Sequence, residues 1–218
     1  MLKKKIKFLK EYNALHYNRP SVTTDILVFT IHKGKLKILL IKRKNPPYQG
    51  AWAIPGGFIE MDEDLEESAL RELKEETGVE EANLIQLHAF GKPNRDPRMR
   101  VITVAYITFI PLNRLRFKAN SDAKQSCLVP VYALPKLAFD HSKIINFAIK
   151  FIKNNIFISD LLKPFLHKMF TLRELWDISQ IVINKKRNYT KFSEQIIRFG
   201  ILQKAKTKEG KEDIYSFR

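Results

Sequence analysis

The sequence predicts an α+β layered domain followed by a small, basic winged helix-turn-helix domain. Three observations lead there. Strand and helix periodicities alternate up to about residue 155, two helical segments and a short ribbon follow, and the C-terminal third is the most basic folded segment. The expected division is a basic N-terminal extension over 1–19, the layered domain over 20–155 and the winged helix over 156–218. A chain of 218 residues has room for one average domain and a small second one.

The elements follow in order. In "TTDILVFTIHKGKLKILLIKRK" apolar and polar residues alternate on either side of His32-Lys33-Gly34-Lys35, the pattern of two strands joined by a glycine turn. Asp64 with Glu67 three residues on reads as an N-cap, and Gly78 as a C-terminal stop, so residues 65–77 are expected to be helical with Leu65, Ala69 and Leu73 as the buried stripe. "LIQLHAF" and "RVITVAYITFI" read as strands joined by the loop "GKPNRDPRMR". "SKIINFAIKFIKNN" returns to helical spacing, with Ile144, Phe147, Ala148, Phe151 and Ile152 on one face. Thr171 and Glu174 then form a capping-box start, a second helix spans 190–199 up to Gly200, and "ILQKAKTKEGKEDIYSFR" reads as two strands around a charged turn. Helix, helix and ribbon on a basic background is the pattern of a winged helix-turn-helix.

Composition narrows the function classes. With 44% hydrophobic and 28% charged residues, and no apolar run near the roughly 18 residues a bilayer span needs, the chain is not expected to be a membrane protein. Lysines interrupt the apolar residues of "MLKKKIKFLKEYNALHY" and no small-residue cleavage site follows, which argues against a secretory signal. Cys127 is the single cysteine, so no internal disulfide framework exists and a reducing cytoplasm is the expected location. The net charge of +16 favours polyanionic partners.

Against that basic background, "GGFIEMDEDLEESALRELKEETGV" concentrates carboxylates. On the expected helix Glu72, Glu75 and Glu76 stand at i, i+3 and i+4, close enough for their carboxylates to converge. Clustered carboxylates repel unless a cation lies among them, and hard oxygen ligands suit Mg²⁺ or Mn²⁺. Gly57, Glu63, Arg71-Glu72-Leu73, Glu75-Glu76 and Gly78-Val79 stand at the spacing of the Nudix box, and this stretch resembles that family at all nine specified positions. The resemblance implies an α/β/α sandwich whose loop-helix-loop holds metal against a diphosphate while water attacks phosphorus. It implies Glu72 and Glu76 as principal metal ligands, Glu75 as an additional or bridging ligand, Arg71 as the residue orienting a carboxylate, and Glu63 as support. Trp52 in "AWAIPGGF" reads as packing in preference to substrate stacking.

The resemblance runs further, over residues 17–202. "YNRPSVTTDILVFT", "GAWAIPGGF", "FGKPNRDPRMRVITVAY", "LPKLAFDH" and "FTLREL" are similar to Nudix-related transcriptional regulators, in which a Nudix domain precedes a winged helix. Such proteins regulate NAD or sugar metabolism, with ADP-ribose or a similar phosphorylated compound as effector, and the family and two-fold operators favour a homodimer. Many of these regulators have a degenerate box and only sense their ligand. Here every metal-binding carboxylate is in place, which predicts hydrolysis of ADP-ribose to AMP and ribose 5-phosphate. A repressor with little or no catalysis, and an enzyme whose C-terminal domain only mediates dimerisation, remain the alternatives.

In the C-terminal domain the helix expected to enter DNA is usually arginine-rich in these regulators, whereas here Ser193, Glu194 and Gln195 occupy the turn. Lys185, Lys186, Arg187 and Lys191 are expected to hold phosphates, and Asn188 and Gln195 to read adenine. Gly57 and the guanidinium groups of Arg95, Arg98 and Arg100 are the candidate substrate contacts, with surface pairing to the acidic helix as the alternative for the arginines. Asp122 reads as an exposed loop acid, with assistance to the attacking water as the role the family implies. Asp140 and His141 read as helix capping and structural hydrogen bonding before catalysis.

Overall fold

Apolar side chains on both faces of three long strands organise the main sheet. The structure, a computed structural model, describes residues 18–115, 126–205 and 213–218. Most of the expected N-terminal extension, Asp122 and the turn of the C-terminal ribbon therefore lie outside the described residues. The first domain contains β1 (Ser21–His32), β2 (Lys35–Lys42), β3 (Trp52–Ala53), β4 (Gly56–Phe58), helix α1 (Leu65–Thr77), β5 (Ile85–Phe90), β6 (Val101–Phe109), β7 (Ser126–Pro130) and helix α2 (His141–Asn155).

The expected hairpin is present: Lys33 and Gly34 both have positive φ, 52° and 65°, the geometry a two-residue turn between twisted strands demands. The sheet runs β3-β2-β1-β6-β5, with β4 also paired to β1 and β7 also paired to β2. β1 and β6 are parallel, Ile26 facing Tyr106 in register, while the other pairs are antiparallel. β7 is not among the strands the sequence pattern suggests. Its few residues carry little periodic signal, and pairing with β2, Leu128 opposite Leu39, makes them a strand.

Successive strand residues point to opposite faces, and each face has its own core. Ile26, Val28, Leu39, Val104 and Tyr106 pack with Ala69 and Leu73 of α1. Leu27, Phe29, Ile38, Leu40, Ala105 and Ile107 pack with Ile144, Ile145, Ala148 and Ile152 of α2. This is the α/β/α sandwich that the alternating pattern and the box imply.

Beyond α2 the chain forms β8 (Phe170–Thr171), α3 (Leu172–Ile183), α4 (Tyr189–Arg198), β9 (Leu202–Lys204) and β10 (Ile214–Phe217). The Thr171 and Glu174 side chains make the expected capping box, and Asn184, at φ 56°, ends α3 in the left-handed conformation. α4 starts one residue earlier than expected because Asn188 is its cap, accepting from the Lys191 N–H at 3.0 Å. β8 adds a third strand, in the order β8-β10-β9. Two residues are too few to announce a strand in sequence; pairing with β10 defines it.

The C-terminal unit packs onto the first domain. The Phe157 ring lies 5.7 Å from Phe192 of α4 and beneath the Arg187 guanidinium at 4.3 Å, and the Tyr132 hydroxyl donates to the Val182 carbonyl at 3.0 Å. Phe192 is 2% exposed whereas Phe199, on the same segment, is 46% exposed. Phe192→Ala is accordingly expected to destabilise the chain by about 3–5 kcal/mol in urea unfolding, and Phe199→Ala to change stability by less than about 0.5 kcal/mol.

Candidate active site

Local capping sets the position of α1, and α1 sets the carboxylates. Asp64 and Glu67 form a capping box, and Gly78, at φ 73°, donates its N–H to the Lys74 carbonyl at 2.8 Å. With Ala69 and Leu73 buried against the sheet, Glu72 and Glu76 are also buried while Glu75 is exposed. Burying two carboxylates is costly unless each is hydrogen-bonded. Arg71 Nη1 donates to Glu72 Oε1 at 2.9 Å, and the Gly56 N–H donates to Glu76 Oε2 at 2.9 Å.

Arg71 is the hub of this arrangement. Its Nε and Nη2 form a fork on Glu63 at 2.9 and 2.7 Å, Nη2 also donates to the Phe58 carbonyl, and Nη1 lies 3.6 Å from Glu75. Arg71 thereby holds the Glu63 and Glu72 carboxylates in place. Arg71 hydrogen bonding holds the Glu63 carboxyl down to about 2, and Glu63 in turn raises the Arg71 guanidinium above its ordinary value. Two glycines admit the helix. A Cβ at Gly57 would collide with the Glu72 carboxylate, and one at Gly56, whose φ is 151°, would collide with the Thr24 carbonyl.

Glu72, Glu75 and Glu76 line a cavity of about 470 Å³ together with Gly57, Arg43, Arg95 and Arg98. Arg95 and Arg98 are held by aspartates. Arg95 donates to Asp140 at 2.8 and 3.3 Å and lies 3.7 Å from Asp25, and Arg98 forks onto Asp96 at 3.0 and 2.7 Å. Arg100 is exposed and stands outside the cavity lining. Arg43 was missed in the sequence; only the fold brings the end of β2 to the cavity, where its Nε donates to the Pro47 carbonyl at 2.9 Å. Burial first, then the nearby Arg98 charge, lowers the Arg43 pKa.

Asp140 makes no side-chain capping bond to α2, contrary to the capping reading, because Arg95 takes its carboxylate. His141 has the expected structural role: Nδ1 accepts from the Ile54 N–H at 2.9 Å, and burial lowers its pKa, so it is neutral there. Asp25, 3.8 Å from His141 Nε2, accepts from the Thr103 hydroxyl at 2.8 Å and was not singled out in the sequence. Trp52 packs against the main core, with Lys42 Nζ 6.0 Å from its ring centroid, and does not line the cavity.

Among the described residues no three His, Cys, Asp or Glu side chains are already gathered around a metal position. Glu72 is turned to Arg71, Glu76 to Gly56, and Glu75 lies 3.6 Å from Arg71. The donor chemistry nevertheless fits a hard divalent cation: three carboxylates at helical spacing all line one cavity.

In the C-terminal unit Lys185, Lys186, Lys191 and Gln195 are exposed, as phosphate or base contacts require. The Asn188 side-chain oxygen caps α4, accepting from the Lys191 N–H. Arg187 is also drawn inward, over Phe157, and burial lowers its pKa.

The NUDIX domain model matches residues 21–147. The chain belongs to the NUDIX family. A relative in Acinetobacter baylyi, "ADPR responsive transcriptional repressor NtrR", is 31% identical over 90% of this chain and 80% of its own length. "ADP-ribose pyrophosphatase" of Methanocaldococcus jannaschii is 44% identical over 63% of this chain and 76% of its own. The solved structure of Shewanella oneidensis NrtR complexed with a 27mer DNA superposes with a TM-score of 0.70 at 30% identity, covering 90% of this chain and 93% of that one. No helix among the described residues is long and apolar enough to cross a membrane.

The folded-state Glu63 value lies below the ordinary 4.5, so its contribution to stability is full above about 4.5 and disappears as pH falls toward 2. The stability deficit of Glu63→Gln relative to the parent is therefore expected to shrink over that window. Urea unfolding of both proteins at a series of pH values measures it, and a pH-independent deficit contradicts the Arg71 pairing.

Proposed function

We propose that this chain binds ADP-ribose in the NUDIX cavity and hydrolyses it to AMP and ribose 5-phosphate, and that a homodimer binds operator DNA in a manner set by that ligand. The observation that carries this reading is the juxtaposition of box carboxylates Glu72, Glu75 and Glu76 with Arg43, Arg95 and Arg98 in one cavity. A diphosphate needs both: guanidinium forks for its own charge, and carboxylates for the cation that accompanies it. A divalent cation held by Glu72, Glu76 and Glu75, Mg²⁺ or Mn²⁺, would neutralise charge developing on phosphorus and acidify water. Arg71 fixes Glu72, and the Gly56 N–H fixes Glu76, before substrate arrives. In the reaction water adds to one phosphorus and loses a proton to solvent, the P–O–P bond breaks, and the departing phosphate takes the electron pair.

The relatives named as an ADP-ribose pyrophosphatase and an ADPR-responsive repressor both favour ADP-ribose. α2 supports coupling between ligand and DNA. It begins at Asp140 and His141 beside the cavity and ends near Phe157, which touches both Phe192 and Arg187. A ligand that binds the DNA-competent and DNA-incompetent states unequally shifts DNA affinity. The second reading, a regulator with little or no catalysis, has the repressor relative in its favour; a C-terminal unit that only mediates dimerisation is the third.

Glu76→Gln keeps volume but loses a charge and is expected to abolish Mg²⁺-dependent release of AMP from ADP-ribose while leaving the unfolding midpoint nearly unchanged. Turnover of the parent on ADP-ribose, NAD⁺, NADH and dinucleoside polyphosphates decides the substrate; parental turnover by the variant defeats the carboxylate assignment.

For DNA, the double change of Lys185 and Lys186 to Ala is expected to weaken binding to all sequences alike and to flatten the log K against log salt slope by about two units. Gln195→Ala is expected to alter sequence preference instead. Anisotropy titrations against DNA upstream of the gene, with and without ADP-ribose, read both effects. No preference over random DNA in either condition leaves only the enzyme.

A further inference from the structure

The cavity rim carries rings and guanidinium groups that the metal-binding helix does not explain. Phe58, at the end of β4, is 39% exposed and belongs to none of the hydrophobic clusters among the described residues. The Arg98 guanidinium lies over its ring, 5.2 Å from the centroid, and 5.8 Å from that of Phe139. Asp96, itself buried, anchors Arg98 through two side-chain hydrogen bonds. Phe139 is held at φ 50°, a costly conformation for an aromatic residue, with Arg43 4.7 Å from its centroid and Tyr48 edge-on at 4.9 Å. Phe58, Arg98 and Phe139 all line the cavity that the carboxylates line.

We propose that Phe58, with the guanidinium face of Arg98, forms the wall on which the heteroaromatic base of the bound nucleotide stacks, a specificity subsite that adjoins the phosphate contacts and shares Arg98 with them. This rests on the nucleotide reading of the cavity and adds where the base goes. The Arg98 guanidinium, anchored by a buried carboxylate, covers only part of the Phe58 ring, which stays 39% exposed at a cost in hydration, and the two together offer flat faces to a third planar group. Stacking of this kind is strong for any base and tolerant of its identity, because every base has a π-face. The subsite therefore selects compounds that carry a ring over those that carry only sugar and phosphate, and discriminates weakly among purines.

Calorimetric titration of the full chain with AMP and with ribose 5-phosphate tests this. Phe58→Ala is expected to weaken AMP binding on the order of ten-fold to a hundred-fold and to leave ribose 5-phosphate binding within about two-fold of the parent. Phe58→Trp is expected to retain AMP affinity, and its added indole fluorescence to be quenched by AMP but not by ribose 5-phosphate. Unchanged AMP affinity in Phe58→Ala, an equal loss for both ligands, or no quenching in a Phe58→Trp variant that binds AMP overturns the stacking wall while leaving the nucleotide reading intact. A parent protein that binds neither AMP nor ADP-ribose overturns both.

Discussion

The guanidinium of Arg71 is the interaction on which the site depends. α1 concentrates acidic side chains on one edge and buries two of them, an arrangement that repels itself in low dielectric. Arg71 answers with one fork on Glu63, one bond to Glu72 and one to the Phe58 carbonyl, joining helix, preceding loop and β4 through a single planar group. A lysine offers no such fork. Gly56 and Gly57 complete the arrangement from the strand side, where any side chain would occupy the space of the Thr24 carbonyl or the Glu72 carboxylate.

The cavity is built with its charges already answered. Arg95 has Asp140 and Asp25, Arg98 has Asp96, Glu72 has Arg71, and Glu76 has the Gly56 N–H. Removing one member of a buried pair strands the other, so the pairs preserve the fold as well as the site. An anionic ligand beside Arg95 and Arg98 acts on guanidinium groups already oriented by their aspartates, which lowers the ordering cost of binding.

The winged helix shows the same economy with different materials. Its polar residues serve structure before they serve a partner: Asn188 caps α4, the Ser193 hydroxyl donates to the Tyr189 carbonyl, and Arg187 covers Phe157. Lys185, Lys186, Lys191 and Gln195 remain at the surface. The charge that sets this unit apart is therefore divided between Arg187, which covers Phe157, and side chains that face outward.

Sequence alone determined the elements whose signals are local: the Lys33-Gly34 hairpin with its two strands, α1 with both caps and α3 with its capping box, whereas the burial of β1 and β2 on both faces, where alternation suggested one, was decided by the helix layers on either side. It also determined the box, because carboxylates at i, i+3 and i+4 share a helix face wherever that helix is placed. Tertiary structure decided what depends on distant partners. β7 and β8 are too short to declare themselves and exist by pairing with β2 and β10. Arg43 and Asp25 joined the site, Arg100 stayed outside it, and Asp140 exchanged a capping role for Arg95, all because strands far apart in the chain meet at one cavity. Periodicity reports which face of an element is buried; it carries no information on which charged side chain another element will bring to meet it.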